Sequence, residues 1–402
     1  MEPATPPTAA TAPARLWSLD ALRGACALVV FLSHWHLWSN FSPHGALQQT
    51  VRAAGEFLHG SFAALTWPTG GHHPAVIGFF VLSGFCIHYP FERRARLGRP
   101  RPGWDDYFRR RFRRIMPVYW AACTLGLAFV AAEKLHPSGS VLLGLHATAP
   151  LADVLVRFAG LAGLYPHEIF AGNYILTTVA VELLMYAAYP LFYRYTARGA
   201  WVGLGVAFLA LHLAAILLLP YVTPFWVFNS PLMLGIFWYA GALAAHLFLA
   251  GRAHVRAPGV LLAWVAFLLL KATPDLFGIN FYGLNLLKQA AWGLVCVLGI
   301  LWVIRRELLR PQWVHRPFSA ALCRAGDFSY SLYAMHTPAL MLASWALILA
   351  DCQNYLAQLA ATLAASLTAT FAVHFGIERV FYRPRSAEGG ETSATRTTFP
   401  PA

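Results

Sequence analysis

Residues 23–34 read RGACALVVFLSH, an apolar run with a basic residue at each end, Arg23 and His34. A charged side chain inside the hydrocarbon of a bilayer costs several kcal/mol, so such residues need a reason to be there. Eleven helical steps of about 100° return to within roughly 20° of the same face, with a rise of about 16 Å. The two side chains therefore form one stripe that starts at a membrane surface and reaches inward.

The composition of the chain indicates a membrane protein. Of its 402 residues, 58% are hydrophobic and only 12% are charged, against roughly a quarter charged in ordinary soluble domains. Several apolar runs approach the roughly 20 residues that cross a bilayer. The formal net charge of +13 comes without a nucleic-acid-binding motif, so no nucleic-acid partner is expected and the basic residues are read as markers of topology.

The sequence predicts an all-α polytopic membrane protein with about ten transmembrane helices. If the N-terminus is cytoplasmic and every segment crosses, one side receives 25 of the 30 Lys and Arg residues and the other side five, a strong positive-inside bias. Without the short seventh segment, every later loop would be on the wrong side. We therefore expect both termini in the cytoplasm and ten apolar segments, at about 18–38, 75–92, 115–133, 174–193, 201–219, 226–248, 257–271, 284–304, 327–348 and 356–381.

One membrane domain accounts for nearly all of the chain. Residues 1–14, rich in Ala, Pro and Thr, and residues 384–402, rich in Ser, Thr and Gly, have the composition of disordered tails, which leaves residues 15–383 for the transmembrane domain. The outer loops at about 39–74 and 134–173 are too short for a second catalytic domain. The six cysteines show neither a disulfide framework nor zinc-ligand spacing, so no metal site is expected.

Three further spans carry polar residues at a similar distance from a flanking arginine. Ser83 is ten residues from Arg93, and Glu182 and His336 are each twelve residues from Arg194 and Arg324, which places all three about 15 to 18 Å deep. His34 has about the same depth. Ionisable groups at this depth are expected to face the bundle interior or a wet cavity, although Ser83 and Gly84 could simply allow close helix packing and Glu182 could simply hold a neighbouring helix.

A basic loop is predicted to precede the third span, where residues 105–120 read DDYFRRRFRRIMPVYW, with five arginines in the six positions 109–114. A positive-inside signal would explain them, but clustered guanidinium groups also suit a ligand that carries several phosphates. No glycine-rich phosphate loop or dinucleotide fingerprint is present. A nucleotide-type ligand would therefore be held by arginines and helix termini.

The same segments resemble a known family. LDALRGACALVVFLSHW (19–35), FFVLSGFCI (79–87), RRRFRRIMPVYW (109–120), NYILTTVAVELLMYAAYP (173–190) and FSYSLYAMHTP (328–338) are similar to successive signatures of the acyltransferase-3 family of integral membrane acyltransferases. Arg23 and His34 match its paired arginine and histidine, Arg111 and Arg114 its R-x-x-R, and Glu182 its membrane glutamate. The segment AVIG before FFVLSGF departs from the family, whose members often carry an acidic residue there.

The resemblance implies transfer of an acyl group, usually acetyl, from cytoplasmic acyl-CoA to a hydroxyl of a carbohydrate or glycolipid acceptor. It implies a multi-pass protein of the bacterial inner membrane whose partners are acyl-CoA, that acceptor and membrane lipids. Resemblance and geometry together assign the CoA phosphates to Arg23, Arg111 and Arg114. They make His34, with a reference pKa of about 6.5, the general base or, as a second option, the acyl carrier.

The other candidate catalytic residues are assigned supporting roles. Glu182 could orient or charge-stabilise His34, Ser83 or Tyr330 could stabilise the developing oxyanion, and His336 is the alternative base. A proton-coupled transporter or flippase of a glycan or lipid is the rival function, because intramembrane His and Glu residues also mark carriers. The two halves of the chain, however, show no repeat of the arginine and histidine stripe. A non-catalytic scaffold would leave the shared depth of the polar residues unexplained.

Overall fold

The computed structural model describes residues 13, 15–37, 45–68, 73–165, 167, 169–218, 227–277 and 282–382, and these ranges contain helices and no β-strand. The predicted tails at 1–14 and 384–402 lie outside the described residues, apart from Pro13. The helices are α1 Trp17–Leu37, α2 Ala46–Thr66, α3 Pro74–Arg96, α4 Trp104–Leu135, α5 Val141–His146, α6 Leu151–Phe158, α7 Leu176–Thr196, α8 Trp201–Leu218, α9 Pro231–Leu249, α10 Ala257–Phe277, α11 Tyr282–Leu309, α12 Pro317–Leu349 and α13 Tyr355–Val373.

The all-α membrane fold is confirmed. Within the described ranges, seven helices are long and apolar enough to cross a membrane, namely α3, α4, α7, α9, α11, α12 and α13 with its continuation to Phe381. The remaining three predicted segments coincide with α1 and with the shorter apolar helices α8 and α10. Each predicted segment is thus helical, while ten crossings and cytoplasmic termini stay predictions.

Three predicted loops contain helix. The basic stretch before the third span is the first part of α4, which begins after Gly103 and carries Asp105 and Asp106 in its first turn, where carboxylates favour the helix dipole. The loop predicted at 39–74 contains the 21-residue helix α2, and the loop at 134–173 contains α5 and α6. An apolar-run criterion misses these helices because they are too polar or too short to span a membrane.

Close helix crossings at glycine hold the centre of the bundle together. A Cβ atom on Gly84 of α3 would lie 1.9 Å from the Trp238 carbonyl oxygen of α9, and one on Gly241 of α9 would lie 1.9 Å from the Val81 carbonyl oxygen of α3. Small residues let helix backbones approach closely in lipid, where packing replaces the hydrophobic effect as the driving force. Gly84 therefore has the packing role considered for it from sequence.

A second glycine crossing joins α1 to α12. A Cβ atom on Gly24 would lie 2.3 Å from the Leu322 carbonyl oxygen, and one on Gly326 would lie 2.1 Å from the Asp20 carbonyl oxygen. This crossing fixes the first helix, which carries Arg23 and His34, against the helix that carries Tyr330 and His336. The two ends of the chain thereby come together around one site.

Candidate active site

Six of the eight residues singled out from sequence line one cavity. They are Arg23 from α1, Ser83 from α3, Arg111 and Arg114 from α4, Glu182 from α7 and Tyr330 from α12. The cavity contains about 850 Å³ not filled by protein atoms, counted to its open mouth. Side chains separated by up to 307 residues therefore meet in one place, which supports a functional interpretation of their positions.

Arg23 reaches the cavity while pairing with the carboxylate of Asp20, one turn earlier on α1. Asp20 is shared with Arg15, whose Nη2 lies 2.9 Å from its Oδ2, so one carboxylate serves two guanidinium groups. The Nε atom of Arg23 is buried without a hydrogen-bond partner in the part of the chain that the structure describes. An anionic ligand would supply the missing acceptor and the missing negative charge.

Arg111 and Arg114 lie one turn apart on α4 and both face the cavity. The guanidinium carbon of Arg111 lies 5.3 Å from the centre of the Tyr186 ring, and that of Arg114 lies 5.3 Å from the centre of the Tyr382 ring. Among the described residues, neither arginine forms an ion pair with a carboxylate. Their charge is thus positioned by aromatic rings and remains available to an anion.

Glu182 and Ser83 are joined through Tyr186. The Tyr186 hydroxyl donates a hydrogen bond to Glu182 Oε1, and the Ser83 and Tyr186 hydroxyl oxygens lie 3.2 Å apart. Tyr330 donates its hydroxyl hydrogen to the Ile115 carbonyl at 2.9 Å. Glu182 is thus placed among the cavity arginines, and its hydrogen bond in the described structure goes to Tyr186 and not to His34.

A septum formed by Phe79, Thr178 and Tyr333 lines one end of the cavity. The Thr178 and Tyr333 hydroxyl oxygens lie 2.6 Å apart, and the rings of Phe79 and Tyr333 meet edge to face at 5.5 Å. On the far side of Tyr333, one turn along α12, lies His336, with ring centres 6.2 Å apart. Neither histidine lines the arginine-lined cavity, and Tyr333 contacts both the cavity and His336.

His34 and His336 form a hydrogen-bonded pair, with His34 Nδ1 2.8 Å from His336 Nε2. His336 Nδ1 lies 2.8 Å from the Leu332 carbonyl oxygen. A carbonyl only accepts, so Nδ1 of His336 must carry the hydrogen, and its Nε2 in the neutral ring must be the acceptor. His34 then donates from Nδ1, which makes Nε2 of His34 a hydrogen-bond acceptor through its lone pair.

This lone pair of His34 faces a hydroxyl group. The Tyr174 hydroxyl donates to His34 Nε2 at 3.3 Å. His336 is fully buried, whereas His34 is half-buried although it does not line the arginine-lined cavity. In neutral His34, the Leu332 carbonyl, acting through His336, makes Nε2 the basic nitrogen. This geometry is suited to removing a proton from a hydroxyl.

Further histidine and aromatic side chains surround the pair on the side of the α2–α3 connection. His73 accepts from the Ala75 amide through Nδ1, so its Nε2–H donates to Ser33 Oγ at 3.1 Å. Burial, with a smaller contribution from neighbouring His59 and His336, lowers the pKa of His73 to about 3. The ring of Trp67 lies against it at 4.6 Å, so this region is aromatic and uncharged at neutral pH.

The four polar side chains predicted at one depth occupy two levels. Tyr174, which contacts His34, precedes Glu182 by eight residues, and neither histidine lines the cavity around Glu182. The depth estimated from the number of residues to a flanking arginine is wrong here, because the flanking arginines do not lie at a common depth. Arg324 lies inside α12, which begins at Pro317, and α3 continues to Arg96.

Sequence reasoning missed Tyr174 and Tyr333. Tyr174 lies eight residues before Glu182, and Tyr333 lies three residues before His336. Asn173 is also fully buried and donates to the Ala334 carbonyl at 2.9 Å, which ties the start of α7 to α12. The available signal for Tyr333 was its position three residues before His336, and no sequence pattern singled out Tyr174.

Comparison with known proteins identifies the family. A family model described as an acyltransferase domain, of the acyltransferase-3 type, matches residues 16–375. No curated protein and no solved structure matches the chain significantly. The match covers nearly the whole chain and includes every residue of the cavity and the histidine pair. The chain therefore belongs to the acyltransferase-3 family and is a multi-pass membrane acyltransferase.

Proposed function

We propose that this protein transfers an acyl group, acetyl in the simplest case, from cytoplasmic acyl-CoA to a hydroxyl of a carbohydrate or glycolipid in a bacterial inner membrane. The observation that carries the proposal is the stacking of two compartments on one helix. Arg23 lines an arginine-rich cavity, and His34, about 16 Å along the same face, presents its Nε2 lone pair to the Tyr174 hydroxyl beyond the septum.

The arginine-lined cavity suits the donor. Arg23, Arg111 and Arg114 converge on it. Among the described residues, Glu182 is the acidic side chain that lines the cavity, Asp20 pairs with Arg23, and Asp327 and Glu378 also act on Arg23 and Arg114 respectively. Phosphate oxygens would satisfy the unpartnered Nε of Arg23 and neutralise the group. The rest of the cavity wall is largely apolar, with Val76, Phe80 and Ile87 among its residues, which suits an extended thiol-bearing arm directed toward the septum.

His34 suits a general base. Its Nε2 would accept the proton of the acceptor hydroxyl while that oxygen attacks the thioester carbonyl. A C–O bond forms, the C–S bond breaks, and the leaving thiolate of CoA takes the proton back from His34, so atoms and charge balance. Tyr174 already places a hydroxyl against the same nitrogen at 3.3 Å, the contact that an acceptor hydroxyl would make after Tyr174 moves aside.

The oxyanion donors are better sought at the septum than deeper in the cavity. Ser83 and Tyr330 lie at the level of Glu182, and the hydroxyl of Tyr330 is already used by the Ile115 carbonyl. Tyr333 and Thr178 lie at the end of the cavity nearest the histidines. A thioester close enough to be attacked at His34 would therefore direct its oxygen to the Tyr333 and Thr178 hydroxyls.

The acceptor would approach from the side of α2, where Trp67, Phe62 and Tyr174 surround His73 and His34. Phe62 and Trp67 are half-buried, so part of each ring remains open for contact. Half-exposed aromatic rings offer stacking surfaces for the apolar faces of sugars.

The test combines cells and purified protein. Envelope glycans from cells that express the wild-type chain should carry an added acyl mass that is missing with His34→Ala and present with the exposed control His254→Ala. Purified wild-type protein in lipid nanodiscs should transfer label from acetyl-CoA to the same glycan fraction. Equal acylation in wild-type and folded His34→Ala cells would contradict the proposed role of His34.

A further inference from the structure

A cluster of metal-ligating side chains lies outside the active site, at the arginine-bearing end of α3. His88 and Glu92 are one turn apart on α3, and His246 comes from α9. One nitrogen of each histidine and one carboxylate oxygen all lie within 4.8 Å of one another. His246 Nδ1 is 2.8 Å from Glu92 Oε1, and His88 Nε2 is 3.6 Å from Glu92 Oε2.

The surrounding fold positions the cluster firmly. The glycine crossing of α3 and α9 at Gly84 and Gly241 lies about one turn away along both helices and sets their separation. The ring of Trp201 packs on both histidines, with ring centres 4.5 Å from His246 and 5.2 Å from His88. The two imidazoles therefore approach each other on rigid helices and not on loops.

His88 contributes a buried atom that needs a partner. Its side chain is fully buried, and its Nε2 has no hydrogen-bond partner in the described part of the chain. Its Nδ1 lies 3.3 Å from the Tyr189 hydroxyl oxygen. Donation from Nδ1–H to that oxygen would leave a lone pair on Nε2 facing the carboxylate of Glu92. Two acceptors that face each other leave a position between them that a cation can occupy.

We propose that His88, Glu92 and His246 bind one divalent transition-metal ion of the Zn²⁺ class. Zinc binds imidazole nitrogen and carboxylate oxygen at about 2.0–2.2 Å, which in tetrahedral geometry separates ligand atoms by about 3.4 Å. The present separations lie on both sides of this value, so small side-chain rotations complete the site. Tyr189 would then serve as the hydrogen-bond acceptor that orients a metal-bound histidine.

Arg96 competes with the metal for the same carboxylate. Its Nε lies 2.7 Å from Glu92 Oε1, and its Nη2 lies 3.3 Å from His246 Nδ1. The Arg96 side chain is 30% exposed, so it can turn to solvent when the ion arrives. The side chains of Glu92 and His246 are also partly exposed, which leaves the ion's fourth position to water.

Bound metal would form a reversible cross-link between α3 and α9. Helix α3 carries Ser83, Phe79 and five other residues of the arginine-lined cavity wall, so the cross-link would hold that wall against α9. The inference rests on the cluster alone and does not depend on the chemistry proposed for His34.

The experiment uses tag-free full-length protein in detergent, with Zn²⁺ measured by competition against a chromogenic chelator and Co²⁺ as a spectroscopic probe. The wild-type protein should bind one equivalent, and Co²⁺ should show ligand-field bands of a nitrogen and oxygen site. His88→Ala, His246→Ala and the nearly isosteric Glu92→Gln should each weaken Zn²⁺ binding more than tenfold. The exposed control His254→Ala should leave the affinity unchanged.

Two further variants separate metal binding from folding. Arg96→Ala should strengthen Zn²⁺ binding, because it removes the competing cation, whereas a purely structural ion pair would give only a loss of thermal stability. Tyr189→Phe should weaken binding about tenfold, the lower end of the effect of losing such an orienting hydrogen bond. The proposal is overturned if wild-type protein binds no stoichiometric Zn²⁺, or if folded Glu92→Gln binds it as tightly as wild type.

Discussion

Removal of the imidazole of His336 tests whether the histidine pair is a functional unit. In His336→Ala, Nδ1–H of His34 loses its acceptor at 2.8 Å, and the Leu332 carbonyl no longer determines which nitrogen of His34 is basic. The lost bond joins a ring that becomes cationic in the transition state, and hydrogen bonds to charged groups contribute about 1.5–3 kcal/mol. At 1.36 kcal/mol per tenfold, kcat should fall by about 13- to 160-fold.

The assay is acyl transfer by purified protein, with kcat and the KM for acyl-CoA determined separately. The KM for acyl-CoA should stay within about twofold of wild type, since His336 lies beyond the septum from Arg23, Arg111 and Arg114. His336→Gln offers an amide oxygen to His34 and should recover part of kcat. A folded His336→Ala protein with wild-type kcat, or one whose loss falls entirely in KM, would refute this account of the pair.

Four other expectations concern the donor site, the helix crossing, acid stability and orientation. Arg114→Ala should raise the acyl-CoA dissociation constant at least tenfold in an equilibrium binding assay while exposed Arg113→Ala does not, and equal affinities would remove Arg114 from the donor site. Gly84→Ala should destabilise by about 1–3 kcal/mol, because its Cβ would meet the Trp238 carbonyl oxygen at 1.9 Å, whereas Gly299→Ala, with open space, should be neutral or stabilising in thermal unfolding. Burial lowers the pKa of His146 to about 4 from 6.5, so its neutral form favours the fold above about pH 6.5. At most about 3 kcal/mol of stability is lost as the pH falls toward 4. A plot of Tm against pH should be flatter for His146→Gln than for wild type, and parallel curves would contradict this role of His146. In a Cys352→Ala background, Val141→Cys should react with a membrane-impermeant thiol reagent in cells with a permeabilised outer membrane and Arg99→Cys should not, and the opposite pattern would reverse the predicted orientation.

The sequence was sufficient for features that depend on one helix at a time. Arg23 and His34 lie on one stripe of α1 because eleven residues complete three turns, and Arg111 and Arg114 share a cavity-facing side of α4 because they are one turn apart. The pairing of Arg23 with Asp20 follows from the same periodicity. Helical geometry and the positions of apolar runs thus account for all ten helices of the predicted segments.

Features that depend on how helices pack against one another could not be read from the chain. His34 and His336 are 302 residues apart, and their contact depends on the glycine crossing of α1 and α12, whose register no local pattern determines. Tyr174 reaches His34 from the start of α7, which Asn173 ties to α12. Counting from arginines placed Ser83 and Glu182 level with His34, since it could not show how far each helix extends beyond the bilayer.

The septum of Phe79, Thr178 and Tyr333 has a consequence for the cell as well as for catalysis. An enzyme that takes its donor on one face of an energised membrane and delivers on the other must not let protons leak between the two. In the proposed reaction, the aromatic edge contact and the hydroxyl pair would be the barrier between cavity and histidines. With the proposed acyl-CoA donor, transfer would require only that a narrow, uncharged arm part these three side chains, and the arm itself would fill the opening that it makes.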